Sequence, residues 1–238
     1  METYVAIDLE TTGLSPKTDK IIEIGAVRVV NGKITDRLQL FADPGRLIPQ
    51  RITDLTGITQ DMLTDAVSQE EAIRHTVDFC GDAPLLGHNI LFDYSFLKQS
   101  AVNAKITFEH TGIDTLKIAR KFLADQESRR LEALCAYYHI AVGHHHRAVD
   151  DAIAAKCLYD CLRQQFGEGN EASFEPGSLC YHAKREGPVT PAQKRYLNDL
   201  IKYHKIEIDY AVEKLTKNEA SRKIDQILSV YGRIRQTQ

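Results

Sequence analysis

Three apolar, strand-like segments open the chain, and the turn between the last two fixes how they pair. They span residues 4–8, 21–30 and 34–41. Asn31 and Gly32 separate the second from the third, and this dipeptide is typical of a type I′ hairpin turn, in which both central residues take positive φ. We therefore predict an antiparallel meander at the start of the fold.

Helical patterns dominate the chain from residue 68 to residue 166. Ser68 and Glu71 have capping-box spacing and predict a helix that ends near Gly81. A short fourth strand is predicted at Pro84–Gly87. Further helices are predicted from apolar residues at helical spacing, which are Phe92, Phe96 and Leu97, then Leu116, Ala119 and Phe122, then Leu131, Leu134 and Tyr138, then Ala148, Ala152, Ala155, Leu158 and Leu162. Strands mixed with helices in this way predict an α/β domain.

A second, smaller unit is predicted at the end of the chain. Residues 167–178 are rich in Gly, Ser, Pro and Glu, so we predict a domain over 1–166, a linker over 167–187 and a small all-α module over 188–238. Thr190-Pro191 and Thr216 with Glu219 are helix-start patterns within that module. Residues 1–180 carry 18 basic and 26 acidic side chains, a net charge of −8, whereas residues 181–238 carry 12 and 7, a net charge of +5.

Composition excludes several classes of protein. The net charge of −3 argues against a protein that coats nucleic acid through a large positive surface. The five cysteines lack CxxC spacing, which favours reduced thiols over a zinc finger or a disulfide framework. No apolar run approaches the roughly 18 residues of a membrane span, and the first residues lack a secretory leader pattern. We expect a cytoplasmic chain without a membrane partner.

Two carboxylates stand at the end of the first predicted strand. Asp8 and Glu10 are two residues apart, so both side chains project from one face. Like charges that share a partly buried face raise each other's pKa unless a cation compensates, and Mg²⁺ or Mn²⁺ prefers such oxygen ligands. A solvated strand end is the alternative for this pair taken alone.

Polar residues follow the first and the fourth predicted strands. Thr11, Thr12 and Gly13 offer hydroxyls and approachable amides for a phosphate or sugar edge, although a simple turn is equally consistent with them. The segment Gly87–Asp93 adds a third carboxylate, Asp93, which taken alone could also serve as an acidic residue at a helix start.

The last polar cluster precedes the final helix of the main domain. Residues 144–146 are three histidines, but adjacent side chains point in different directions, so a dedicated zinc site is not predicted. The cluster instead favours an Asp on the helix as a metal ligand, with a neutral His in the preceding loop as general base.

Three segments combine these residues in fixed patterns. In chain order they are Ile7-Asp8-Leu9-Glu10-Thr11-Thr12-Gly13, Gly87-His88-Asn89-Ile90-Leu91-Phe92-Asp93 and His146-Arg147-Ala148-Val149-Asp150-Asp151-Ala152. They resemble the motifs of the DEDDh exonucleases, the family of proofreading 3′-to-5′ exonucleases similar to the epsilon subunit of bacterial DNA polymerase III. The resemblance covers residues 3–165.

The resemblance implies an RNase H-like fold with a mixed five-stranded sheet flanked by helices. It implies two Mg²⁺ or Mn²⁺ ions held by four carboxylates, with a histidine as general base. The implied catalytic residues are Asp8, Glu10, Asp93, Asp151 and His146. We expect contacts to the nucleic acid from Thr11, Thr12, Gly13, Leu14, Ile58, His88, Asn89 and Phe92, although core packing is an alternative for Leu14, Ile58 and Phe92.

The third motif leaves its register open. His145 with Asp150 has the same spacing as His146 with Asp151. Neighbouring helical residues lie about 100° apart, so only one Asp can face the site. The family pattern favours His146 and Asp151.

The implied activity is metal-dependent release of nucleoside 5′-monophosphates from a DNA 3′ end, single-stranded or frayed. This activity serves either proofreading beside a DNA polymerase subunit or repair alone. The alternatives are an exoribonuclease similar to ribonuclease T or oligoribonuclease, and a catalytically silent nucleic-acid-binding module.

Overall fold

The computed structural model describes residues 3–141, 147–208 and 210–234. The chain divides into two compact units, Met1–Ala183 and Lys184–Gln238. Within the described residues, no helix combines the length and the apolar content that crossing a membrane needs.

One mixed sheet forms the centre of the first unit, with the strand order β4-β3-β2-β1-β5-β6-β7. β1 pairs antiparallel with β2 on one side and parallel with β5 on the other. In chain order the strands are β1 (Thr3–Thr11), β2 (Ile21–Val30), β3 (Lys33–Asp43), β4 (Val67–Ser68), β5 (Leu85–Gly87), β6 (Thr111–Asp114) and β7 (Gly177–Ser178).

The predicted meander is confirmed. β1, β2 and β3 are consecutive antiparallel neighbours. Asn31 and Gly32 connect β2 to β3 with φ values of 50° and 77°, as a type I′ turn requires. This turn sets the register in which β3 lies beside β2.

Helices cover both faces of the sheet. Those of the first unit are α1 (Gln50–Thr56), α2 (Gln69–Cys80), α3 (Ile90–Asn103), α4 (Thr115–Phe122), α5 (Leu131–Tyr137) and α6 (Ala148–Phe166). Val5, Ile7 and Leu9 of β1 belong to a cluster that includes residues of α2 and α3, whereas Tyr4 and Ala6 belong to a cluster with residues of α4, α5 and α6. Asp8 and Glu10 continue the alternation of Tyr4 and Ala6, so they lie on the face that α6 covers.

The sheet has seven strands rather than the predicted five. The two additional strands, β4 and β7, have two residues each and form the edges. Strands this short carry no alternating pattern, so the sequence gives no sign of them.

The prediction of a linker over 167–187 is wrong for residues 167–183. Phe174 is buried at 3% exposure in the cluster beneath α6, and β7 pairs with β6. Leu179 and Tyr181 pack against the other cluster. A few apolar side chains therefore attach this segment to the core of the first unit, although its composition resembles that of a loop.

Side-chain caps define the helix starts that the sequence predicts. The Ser68 hydroxyl accepts a hydrogen bond from the Glu71 amide at the start of α2, which ends before Gly81. In the second unit, Thr190 and Thr216 each form a complete capping box, with Gln193 and Glu219 respectively.

The second unit is a helical module with its own core. Its helices are α7 (Pro191–His204) and α8 (Lys217–Tyr231). Leu197, Leu200, Val212 and Ile227 form the buried cluster. The Gln193 side-chain amide donates hydrogen bonds to the Lys217 carbonyl oxygen and the Ser221 hydroxyl, which connects the two helices.

Candidate active site

The candidate site begins with two carboxylates of β1. In the register of β1 against β2, Asp8 is opposite Gly25 and Glu10 is opposite Glu23. A side chain at position 25 would overlap the backbone of Ala148 and Val149, because an added Cβ would lie 2.0 Å from the Val149 nitrogen. Gly25 therefore lets the start of α6 approach the strands closely enough to face Asp8.

The first turn of α6 supplies a third carboxylate. Carboxylate oxygens of Asp8, Glu10 and Asp151 all lie within 4.8 Å of one another. Asp150 is not a member of this group, as expected for residues about 100° apart on a helix. The geometry selects Asp151 in the ambiguous third motif, while both candidate histidines, His145 and His146, lie outside the described residues.

Asp93 approaches the same place from α3. Its side chain is only 3% exposed, and its Oδ1 accepts a hydrogen bond from the Leu9 amide at 3.1 Å. Burial raises the pKa of Asp93 well above its usual value, although the Leu9 amide opposes this effect. Asp93 is thus bound to β1 at Leu9, the residue that separates Asp8 from Glu10.

Burial and neighbouring negative charges disfavour the ionised forms of Asp8 and Glu10. Burial raises the pKa of Asp8 well above its usual value, and the charges of Asp93, Glu10 and Asp151 raise it further. Burial and the charges of Asp151 and Glu23 raise the pKa of Glu10 to about 8, with Arg147 acting in the opposite direction. The pocket therefore opposes full ionisation of its own acids.

A divalent cation fits this donor set. Hard ions such as Mg²⁺ and Mn²⁺ bind carboxylate oxygens, and their charge would offset the repulsion that raises these pKa values. Asp8, Glu10 and Asp151 are the residues that could hold such an ion, with Asp93 beside them.

Glu23 is a fifth carboxylate at the site, and the sequence patterns do not identify it. It is fully buried, and its Oε1 lies 3.0 Å from Nη2 of Arg147. A glutamate inside an apolar strand has no motif of its own. Its role follows from its position opposite Glu10. The sequence does not predict that position, because the type I′ turn fixes the pairing of β2 with β3 but not the pairing of β2 with β1.

The residues after β1 form a closed turn rather than an open cradle. Thr12 is 1% exposed, and its hydroxyl accepts hydrogen bonds from Nη2 of Arg46 and from the Lys20 amide. The Thr11 hydroxyl donates to the Gly13 carbonyl oxygen at 2.6 Å. Leu14 is 84% exposed. The turn therefore uses the threonine hydroxyls internally and presents Leu14 to solvent.

The second motif also has a structural component. Nε2 of His88 donates to the Arg129 carbonyl oxygen at 2.8 Å, and Nδ1 lies 2.9 Å from the Thr115 hydroxyl. Burial lowers the pKa of His88, which favours the neutral ring that this pairing uses. Both ring nitrogens are thus engaged within the protein.

The two remaining residues of this motif differ in exposure. Asn89 is exposed in a left-handed conformation, with φ of 72°, directly before α3. Phe92 is half-buried and lies 5.0 Å from the Phe96 ring, centroid to centroid. Both lie within four residues of Asp93.

Ile58 does not fit its predicted contact with a base. Its side chain is fully buried and packs with Ile22, Ile52 and Leu63. This environment matches core packing, the alternative given for Ile58, although the neighbouring residues in the sequence are mostly polar.

Comparisons with known proteins identify the family to which this sequence is similar. The exonuclease family model RNase_T matches residues 5–159. DNA polymerase III PolC-type of Caldanaerobacter subterraneus subsp. tengcongensis is 42% identical over 165 residues, which are 69% of this chain and 12% of that protein. The PolC-type polymerase of Halalkalibacterium halodurans is 32% identical over 245 residues, which cover 96% of this chain and 17% of that protein. The chain thus spans less than a fifth of the length of these relatives.

Solved structures show the same fold. Exonuclease X in complex with 5′-overhanging duplex DNA has a TM-score of 0.55 and 27% identity, covering 69% of this chain and 93% of that chain. The nuclease domain of 3′hExo, a DEDDh family member bound to rAMP, has a TM-score of 0.61 and 19% identity, covering 75% and 98%.

The RNase H-like fold and the resemblance to the DEDDh exonucleases are therefore confirmed. The family match runs from β1 into α6 and so includes the strand and the helices that carry the four acids. The chain belongs to the RNase_T exonuclease family.

Proposed function

We propose that this chain is a metal-dependent 3′-to-5′ exonuclease that acts on DNA. The convergence of Asp8, Glu10 and Asp151 within 4.8 Å carries the proposal, because it gathers three hard ligands whose mutual repulsion a cation would offset. With Asp93, these residues would hold Mg²⁺ or Mn²⁺. Two such ions, when bound, supply positive charge that stabilises the transition state of phosphodiester hydrolysis.

The chain's own residues would then handle the proton and the strand end. His146 lies five residues before Asp151 in sequence and would accept a proton from the attacking water. The water oxygen would bond to the phosphorus of the terminal nucleotide, and the bond from that phosphorus to the 3′ oxygen of the penultimate nucleotide would break. The released 3′ oxygen would take a proton from solvent. The products are a nucleoside 5′-monophosphate and a strand shortened by one residue.

Two apolar side chains close to the acids in sequence would hold the last base. Leu14 follows the turn at the end of β1, and Phe92 precedes Asp93 on α3. An apolar wedge of this kind stacks on a base without reading its identity. An exonuclease needs that tolerance because it must remove any nucleotide.

An arginine-rich cleft offers a path for the strand. The cleft has a volume of about 500 Å³, and its lining includes His88, Asn89, Arg120, Arg129 and Arg130. Arg120 and Arg130 are exposed, whereas Arg129 donates from Nε to the Leu123 carbonyl oxygen at 3.1 Å. We assign the cleft to backbone phosphates. Replacing Arg120 and Arg130 by Gln should reduce the slope of log KM against log salt by about 1.4, at roughly 0.7 per phosphate contact.

The substrate assignment to DNA rests on the named relatives. Those with the highest identity given above are DNA polymerases, and Exonuclease X is bound to DNA in its structure. We therefore propose that strand ends made by a DNA polymerase are the substrate, with mispaired ends removed faster because they are already unpaired.

End-labelled strands of matched sequence test this function. DNA and RNA with free or blocked 3′ ends are incubated with the full chain and increasing Mg²⁺ or Mn²⁺, and the products are resolved on a gel. We expect single-nucleotide steps from free DNA 3′ ends only. RNA cut faster than DNA would favour the exoribonuclease alternative, and no cleavage of either would favour the silent binding module.

A neighbouring acid provides the matched control. Asp151→Asn should abolish cleavage, whereas Asp150→Asn removes the same charge from the adjacent residue and should leave cleavage near wild type. Equal loss in both variants would contradict the assignment of Asp151.

A further inference from the structure

The start of α6 is held against the sheet by one buried carboxylate. Glu23 accepts hydrogen bonds from Nη2 of Arg147 at 3.0 Å, from Nε of Arg147 at 3.2 Å and from the Ala148 amide at 3.4 Å. The Gln39 side-chain amide donates to the same Oε1 at 2.9 Å. The first amide of α6 and the residue before it thus converge on one side chain of β2.

The position of Glu23 links this contact to the candidate site. Glu23 is directly opposite Glu10, and two acids in that arrangement repel each other in a sheet. Arg147 supplies the compensating charge and also lies over the Phe41 ring, with its Cζ 5.5 Å from the ring centroid. Glu23 is therefore fully buried beside the acids of β1 with a cationic partner.

The same contact determines where Asp151 lies. The Asp151 amide donates to the Arg147 carbonyl oxygen at 3.0 Å, one helical turn after the contact with Glu23. Gly25 lies two residues after Glu23 on the same strand face and removes the Cβ that would push this turn away. A shift of Arg147 would move Asp151 relative to Asp8 and Glu10.

We propose that Glu23 and Arg147 are positioning residues that hold Asp151 in register with Asp8 and Glu10 and so set the cation affinity of the site. We call the contact between Glu23 and Arg147 the clamp. The inference rests on the proposed function and names two residues outside its four acids. Residues that orient metal ligands in this way typically contribute 10- to 100-fold to metal affinity or activity.

Mn²⁺ binding tests the proposal independently of catalysis. Free Mn²⁺ is measured by electron paramagnetic resonance during titration of the full chain, with Glu23→Gln, Arg147→Gln and their double variant. We expect each single variant to weaken Mn²⁺ binding by roughly 10-fold or more. The double variant should lose no more than the weaker-binding single variant, because both act through one contact.

Milder variants and a control keep the test decisive if Glu23→Gln does not fold. Arg147→Lys retains the charge but loses the two-nitrogen contact, so it should bind Mn²⁺ with intermediate affinity. Lys156→Ala breaks the ion pair between Lys156 and Asp160. This pair lies within α6 and does not join the helix to a strand, so the variant should leave Mn²⁺ affinity unchanged.

Kinetics separate positioning from general damage. The clamp variants should lower kcat by roughly 10-fold while KM for the strand changes little, because neither residue is proposed to touch substrate. Folded Arg147→Lys and Arg147→Gln with Mn²⁺ affinity equal to wild type would overturn the inference.

Failure of the clamp and failure of the exonuclease assignment are distinguishable. If Asp151→Asn weakens Mn²⁺ binding but the clamp variants do not, the clamp is wrong and the metal site stands. If the clamp variants weaken Mn²⁺ binding while wild type cleaves no strand, the clamp stands and the exonuclease function is wrong.

Discussion

The end of β1 and the part of β2 that faces it both carry carboxylates, but the charges of these carboxylates have different partners. Glu23 is fully buried and has Arg147, Gln39 and the Ala148 amide as partners. Asp8 and Glu10 lie opposite the same region of β2, yet their neighbours are mostly other acids, which raise their pKa values. Glu23 thus has protein partners for its charge, whereas the proposed function assigns that task to a bound cation at Asp8 and Glu10.

The largest expected effect is on catalysis by the uncompensated acids. Asp8→Asn should lower kcat by about 10³-fold, which corresponds to roughly 4 kcal/mol of transition-state stabilisation. Its thermal midpoint in metal-free buffer should rise, because the change removes repulsion among buried carboxylates. Gel-based kinetics and calorimetry measure the two quantities. A large drop in stability would mean that Asp8 is structural, which would break the contrast with Glu23.

The next effect concerns the compensated acid. Arg147→Ala leaves Glu23 buried without its cationic partner and should lower the free energy of unfolding by about 3 kcal/mol. Urea unfolding monitored by circular dichroism measures this change. Lys156→Ala is the matched comparison on α6. A similar loss in both variants would show that the ion pair of Arg147 with Glu23 stabilises the fold no more than the pair of Lys156 with Asp160.

A third effect is the pH dependence of stability without metal. The folded pKa of Glu10 is about 8, above its usual 4.5, so between these values the folded chain keeps a proton that the unfolded chain releases. Stability must therefore fall as pH rises through this window. We expect the midpoint in EDTA to drop by several degrees between about pH 5 and pH 8, and Mn²⁺ to remove most of the drop.

Two variants assign this slope to a residue. Glu10→Gln should flatten the decline in EDTA, whereas Glu70→Gln, an exposed acid on α2, should preserve it. A midpoint that rises with pH in EDTA would contradict the raised pKa.

The smallest effect comes from an exposed acid with a partner. Arg74 and Glu70 form an i,i+4 pair with side chains 55% and 61% exposed. Arg74→Ala should change the free energy of unfolding by about 0.3 kcal/mol, because water compensates Glu70 when Arg74 is absent. A loss as large as that of Arg147→Ala would show that burial is not what separates Glu23 from Glu70.

The sequence predicts those parts of the molecule that depend on local pattern. The turn at Asn31 and Gly32, the caps at Thr190 and Thr216 and the spacing of Asp8 and Glu10 are local, and the structure contains each feature. Helical geometry predicts that only one of Asp150 and Asp151 faces the site, and the family pattern favours Asp151, which is the one found in the cluster of ligand atoms.

The parts that the sequence could not predict depend on long-range contacts. Glu23 acquires its role from Arg147, which lies 124 residues away in the chain. Ile58 is buried by its cluster with Ile22, and Phe174 by its position beneath α6, although both stand in polar surroundings in the sequence. Only tertiary structure reveals these partners.

The most direct test of the account is an anomalous-scattering map from a crystal soaked in Mn²⁺. We predict density for manganese in contact with carboxylate oxygens of Asp8, Glu10 and Asp151, and its loss in the Asp8→Asn variant. A fully soaked crystal with no manganese among these side chains would contradict the metal-dependent mechanism.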